Sequence, residues 1–323
     1  MSLRDNALLR SATAATRRST PTGVVVELMT KKTLLLVIAF ALCVPDGGRS
    51  QTAPPSTDIF IVEVERGLKL GAPRNITQRD GYDNQPEFIN GGKTLLYTSI
   101  REDGQADIYS YELDQRTTAR LTNTSESEYS PTLTPDGKYF SVIRVEADKS
   151  QRLWKFPLGG GAPVLVLEAI KPVGYHLWLN QQSLLVFILG RPNTLQIVDT
   201  RTQKAEVLAS DVGRCFRHIP GGRLISFVHK VSNQEWWLKS LDAQTHEVKP
   251  LIKTLPGSED YVWLTDGSAL MGKDSKLFKW KPGESDWQEA ADLSRSGLKS
   301  ITRMAISPKG DRLAIVAEPG PSR

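Results

Sequence analysis

Cysteine is nearly absent from this chain. Its 323 residues hold two, Cys43 and Cys215. Cys43 lies in the amino-terminal segment and Cys215 in the body, so a chain cut after that segment has no internal disulfide to staple it. Histidine is scarce too, with four copies. His176 and His218 stand at a separation that matches no metal-ligand motif, and no third histidine is in phase with them. No Gly-x-Ser-x-Gly elbow occurs, which excludes the serine-hydrolase chemistry built on it. The one long apolar run, Leu34 to Val44, is too short to cross a bilayer comfortably. A basic surplus is missing as well, despite a pI near 9.1. Residues 1–50 hold seven of the 41 Lys/Arg and only three of the 36 Asp/Glu, so the remainder is close to neutral. A nucleic-acid binder would keep its positive charge in the folded part, and that class is set aside.

What is present suffices for a packed core, with 39% hydrophobic and 24% charged residues. Lys31-Lys32, the run Leu34 to Val44 and the small residues Gly47, Gly48 and Ser50 have the layout of a secretory signal peptide. Ser50 or Ala53 marks the cut, and an uncleaved anchor is the other reading. Cys43 follows bulky Leu42, which argues against a lipid-attached cysteine. Residues 1–28 show no apolar period, and Met29 is read as the true start. The expected organisation is a leader over 1–50, a linker over 51–56 and one folded domain over 57–323. The mature protein is expected to be periplasmic or secreted and not integral to the membrane.

The body repeats itself. Tyr82 to Leu121 and Glu128 to Leu167 share one plan: a polar run ending in Pro86 or Pro131, then an apolar residue, Phe88 or Leu133. A tight turn follows at Asn90-Gly91-Gly92-Lys93 or Pro135-Asp136-Gly137-Lys138, and then two alternating apolar segments separated by a polar loop. Four short strands with turns at fixed places describe one propeller blade. Anchored on the first turn, the units fall at Gly92, Gly137, Gln182, Gly222, Gly267 and Gly310, with spacings of 45, 45, 40, 45 and 43. Glycine suits a turn that needs positive φ. In the third unit Asn180 is expected to take that role.

The sixth unit ends at its second strand. Its missing strands are found at the other end of the chain. Asp58-Ile59-Phe60-Ile61-Val62-Glu63-Val64 parallels Asp107 to Leu113, and Pro73 to Thr77 parallels Thr118 to Thr122. The expected fold is therefore all-β: a six-bladed β-propeller of four-stranded antiparallel blades, the last blade closed by strands from both termini. Joining the ends leaves no half-blade with open edges.

Asp136-Gly137-Lys138 after Ser130 to Pro135, Asp107-Ile108-Tyr109 with Arg120-Leu121-Thr122, and Ser307-Pro308-Lys309-Gly310-Asp311 resemble the WD40-like repeat of the TolB-like propeller family. The resemblance covers residues 57–318. It is strong in the first two units and the last, weak in the third to fifth. It implies a propeller outside the cytoplasm that serves as a binding scaffold in the bacterial cell envelope. It does not extend to the amino-terminal α/β domain that TolB carries before its propeller, for which residues 1–56 are too few. The same repeats occur in prolyl-oligopeptidase-type enzymes, but this chain has neither the elbow nor room for a hydrolase domain.

In a propeller, the loops entering the innermost strands gather at one mouth of the central tunnel, the default binding face. The candidate ligand-binding residues are Tyr82, Asp83, Asn84, Gln85, Glu128, Tyr129, Tyr175, His176, Arg217, His218, Asp260, Tyr261 and Arg303. Their mixture of acids, cations and tyrosines suits a peptide segment or a sugar. The preferred expectation is a non-catalytic scaffold for an envelope protein or peptide, without catalytic residues, metal or cofactor. The second reading is a carbohydrate-active lyase or hydrolase using His176, His218, Arg217 and Tyr261 as its acid/base group. Trp236, Trp237 and Trp263 are expected between blades, and Cys215 is read as a small buried residue.

Overall fold

The computed structural model describes residues 54–319. The leader residues and the proposed cut sites lie outside that range. The described chain is all-β, six antiparallel blades of four strands arranged as a propeller, the sixth carrying an extra two-residue strand, Lys69–Leu70. The first blade runs Tyr82–Ile89, Thr94–Ile100, Ala106–Glu112 and Thr117–Arg120. The second begins with Ser127–Leu133, the third with Val173–Trp178, the fourth with Val212–His218 and the fifth with Tyr261–Trp263. The sixth has Leu298–Ile306 innermost, then Arg312–Pro319.

Asp58–Glu65 completes the sixth blade. It pairs antiparallel with Arg312–Pro319, Ile59 opposite Val316 and Ile61 opposite Ala314. Arg74–Asn75 adds the outer edge opposite Ile61 and Phe60. The two ends of the described range thus share one sheet, as the repeat requires.

Strand alternation explains how the blades cohere. Successive side chains of a strand point to opposite faces. Ile59 and Ile61 pack with Leu95 and Tyr97 of the first blade, whereas Phe60 and Val62 pack with Val262 and Leu270 of the fifth. The same division recurs around the ring and yields six apolar clusters, one at each junction between neighbouring blades. Each fully buried aliphatic side chain contributes about 1.5–3 kcal/mol by its removal from water.

The repeated motifs have a local physical basis. Thr122 Oγ1 accepts from the Ile108 amide at 2.8 Å and donates to Asp107 at 3.4 Å. Thr77 does the same for Ile59 and Asp58, both at 3.0 Å. This clasp ties the third strand of a blade to its fourth. In the turns, Thr134 Oγ1 accepts from the Tyr139 amide and Ser307 Oγ from the Arg312 amide.

Two turn expectations need correction. In the fourth blade the left-handed residue is Gly221, φ +82°, rather than Gly222. Asn180 does not take positive φ; its Oδ1 accepts from the Gln182 amide at 2.9 Å and closes the turn through the side chain instead.

Candidate functional site

Six inner strands converge on a central cavity of about 50 Å³, lined by residues of every blade. Gln85, Ser130, Tyr175, Arg214, Asp260 and Arg303 each line it. Each stands seven residues before the first-turn residue of its unit, counting from Gly221 in the fourth. One sequence position therefore supplies a polar ring. At Gln85 and Ser130 the inner strand bulges and the backbone takes φ +59° and +54°. Both residues precede a proline, which disfavours the helical basins, so the packing around them must impose the conformation. A bulge re-aims a side chain, and here it delivers Gln85 and Ser130 to the cavity.

The ring is cross-linked. Gln85 Oε1 accepts from Thr98 Oγ1 at 2.7 Å and from the Ser130 amide at 2.8 Å. Arg214 donates Nε and Nη2 to Asp260 Oδ2 at 3.0 and 2.8 Å, and its Nε also lies 3.4 Å from Glu259. The Arg303 guanidinium lies 5.3 Å over the Tyr175 ring and 3.8 Å from Asp260 Oδ1. Burial opposes ionisation of Asp260, but Arg214, Arg303 and Arg217 outweigh it and hold its carboxyl below the usual range. Glu87 also lines the cavity, and burial pushes its carboxyl up to about 7.

Of the thirteen candidate residues, the fold brings Gln85, Tyr175, His176, Arg217, Asp260 and Arg303 to the cavity wall. Tyr82 is buried beside them, within the field of Arg303, Tyr175 and Arg214, and burial raises its phenol well above the ordinary value. The others face elsewhere. Asp83 is buried against Arg79 at 3.0 Å, and Glu128 against Thr124 Oγ1 at 2.5 Å. These are equivalent residues of consecutive units, and both fasten the incoming loop. Asn84 Oδ1 accepts from the Gln85 amide. Tyr129 packs on the apolar cluster between the second and third blades. Tyr261 is fully buried and donates to Ser226 Oγ at 2.8 Å. His218 is exposed at the far end of its strand, its Nε2 2.9 Å from the Trp178 carbonyl.

The acid/base group of the enzymatic reading is therefore not assembled. His176 and Arg217 reach the cavity, while Tyr261 and His218 are engaged in blade junctions. Among the described residues no three His, Cys, Asp or Glu side chains gather as metal ligands. Asp103 and Asp107 are both engaged by Arg120.

His176 is held from behind. Its Nε2 lies 2.7 Å from Ser141 Oγ, which accepts from Trp178 Nε1 at 2.8 Å and donates to the Thr132 carbonyl at 3.1 Å. Ser226 repeats the arrangement between the fourth and fifth blades, receiving Trp263 Nε1 at 2.7 Å and the Tyr261 hydroxyl. Trp263 is thus a junction residue, as expected. Trp236 packs on the same junction. Trp237 instead lies under Lys253, 5.4 Å from its ammonium. Burial pulls the His176 imidazole down to about 3, so it is neutral. Cys215 is buried, and burial pushes its thiol up to about 11, far from a reactive thiolate.

The sequence reading missed Ser130, Glu87 and Thr132 as wall residues. A fixed offset from the turn is the signal that finds them: seven residues for Ser130 and five for both Glu87 and Thr132.

No protein-family model matches the sequence. Solved structures share the fold. A protein described as a TolB from Agrobacterium tumefaciens aligns at TM-score 0.66 and 16% identity, over 81% of this chain and 98% of that one. A chain of a nidogen/laminin complex aligns at 0.57 and 11%, over 82% and 99%. An oligogalacturonate lyase in complex with manganese aligns at 0.51 and 12%, over 80% and 82%. At these identities the likeness is one of fold, the six-bladed propeller.

Proposed function

We propose that this chain is an exported, non-catalytic propeller whose tunnel mouth binds a protein or peptide partner in the cell envelope. One observation carries the reading. Among the described residues, seven buried side-chain atoms have no hydrogen-bond partner in the protein, and three sit on residues of the cavity wall: Ser130 Oγ, His176 Nδ1 and Arg303 Nε. The other four belong to the Arg79–Asp83 and Glu128–Arg144 ion pairs. Buried polar groups in native folds are nearly always paired, so three unpaired ones at one small cavity support the reading of a ligand bound there.

The size of the cavity weighs against a sugar inside it. A water needs about 10–15 Å³ on this measure, so the space takes a few waters or one small functional group. A peptide that inserts one such group and spreads over Tyr175 and Arg303 at the wall fits this better than a saccharide ring. The leader and the resemblance to TolB-like repeats support export and an envelope partner.

The test is capture from envelope extract with immobilised wild type and with Tyr175→Ala and Arg303→Ala. The reading expects a discrete species retained by wild type and lost with both variants. Equal retention by all three would contradict it.

A further inference from the structure

The cavity wall is rich in cation. Arg214, Arg217 and Arg303 face Asp260 and Glu87. Arg214 is paired with Asp260 and Glu259 through Nε and Nη2. Arg217 is not. It forms no ion pair among the described residues, and the one hydrogen bond of its side chain is a long contact of 3.4 Å from Nη2 to the Met304 carbonyl. Arg303 leaves Nε unpartnered and reaches Asp260 only at 3.8 Å. Burying an unpaired guanidinium is costly, and a carboxylate matches its planar fork of donors.

His176 adds a complementary feature. With the Ser141 hydroxyl assigned as donor to the Thr132 carbonyl, the matching tautomer of the ring carries its hydrogen on Nε2 and donates to Ser141. Nδ1 is then a bare acceptor, buried, without a partner in the protein, on a ring that lines the cavity. His176 itself is 7% exposed. The wall thus offers donors for an anion and an acceptor for a neighbouring N–H.

We infer that the cavity is a site for the carboxy-terminal residue of a polypeptide. Its carboxylate lies against Arg217 and Arg303, and its backbone N–H points to His176 Nδ1. The inference rests on the peptide-binding reading above and names the part of the partner that enters. The small volume selects a terminal glycine or alanine over a bulky residue.

The probes are acetyl-Gly-Gly-Ala with a free carboxylate, the same tripeptide as its amide, and sodium acetate, each titrated calorimetrically into the wild-type protein. The expected result is saturable binding of the acid, a loss of at least tenfold for the amide, and binding of acetate at least tenfold weaker than the acid. Arg217→Gln keeps a neutral donor and is expected to cost tenfold or more. His176→Gln keeps a donor for Ser141, removes the Nδ1 acceptor and is expected to weaken the acid peptide while leaving acetate unchanged. Equal binding of acid and amide, or no binding of either, overturns the inference. Acetate binding as tightly as the peptide overturns it too, assigning the site to free small carboxylates. If the tripeptide fails while the extract species is still lost in Tyr175→Ala and Arg303→Ala, this inference alone falls. If the variants retain that species, the binding reading itself fails.

Discussion

Arg214 of the fourth blade grips a single oxygen of Asp260 in the fifth with both Nε and Nη2, at 3.0 and 2.8 Å, leaving Oδ1 turned toward Arg303. One carboxylate thereby organises guanidinium groups from two other blades. Removing one partner of a buried pair leaves an uncompensated charge and typically costs about 3–5 kcal/mol. Asp260→Ala is expected to fall in that range by urea denaturation. The double variant Arg214→Ala/Asp260→Ala should be less destabilised than the two single losses summed, by at least about 1 kcal/mol. Simple additivity would mean that the pair is uncoupled.

Ring closure rests on Ile59 and Ile61 lying against the first blade. Ile59→Ala is expected to cost about 2–5 kcal/mol, as for a fully buried aliphatic residue. Lys299→Ala, on an exposed position of the same blade, should stay within about 0.5 kcal/mol of wild type. Denaturant midpoints followed by tryptophan fluorescence check both.

Much of this was legible beforehand because it is periodic. Turn glycines and alternating apolar strands recur at a near-constant spacing, the Asp107/Thr122 clasp recurs at Asp58/Thr77, and each is a local device visible in one repeat. The terminal strands could be matched because Asp58 to Val64 reads like Asp107 to Leu113. The site was only partly legible. A bulge shifts the inner strand by a residue, and a one-residue shift changes which face a side chain takes. Asp83, Glu128 and Tyr261 have the chemistry of ligand-binding residues, yet their side chains serve loops and junctions. His218 sits at the wrong end of its strand for the same mouth.

Ser141 and Ser226 make a paired prediction. Ser141→Ala strands Trp178 Nε1 and His176 Nε2, and Ser226→Ala strands Trp263 Nε1 and the Tyr261 hydroxyl. Leaving a buried donor unsatisfied costs about 1–3 kcal/mol, so each variant should lose at least about that much in chemical denaturation. A neutral result at either position would show that the hydroxyl is dispensable to its junction.

Proton linkage has a defined sign. Burial raises the Glu87 and Glu128 carboxyls from 4.5 to about 7. The native state then keeps protons that the unfolded chain releases above pH 4.5, so their contribution to stability falls as pH rises from 4.5 to about 7. His176 acts oppositely, since burial lowers it from 6.5 to about 3 and its contribution falls as pH drops through that window. Each bound proton changes the slope by about 1.4 kcal/mol per pH unit. Replacing both glutamates by glutamine should therefore make the slope of stability against pH more positive, by up to twice that amount, between about pH 5 and pH 6. Parallel curves for wild type and the double variant would rule out the buried, protonated carboxyls.

The central claim is that the tunnel mouth, and not the outer rim of the blades, meets the partner. The most direct measurement places a benzoylphenylalanine photocrosslinker at Tyr175 on the cavity wall, or at Val207, which is 57% exposed on the outermost strand of the third blade. After irradiation in intact cells, the account predicts a discrete adduct from position 175 and none from 207. An adduct at 207 with none at 175 would contradict it.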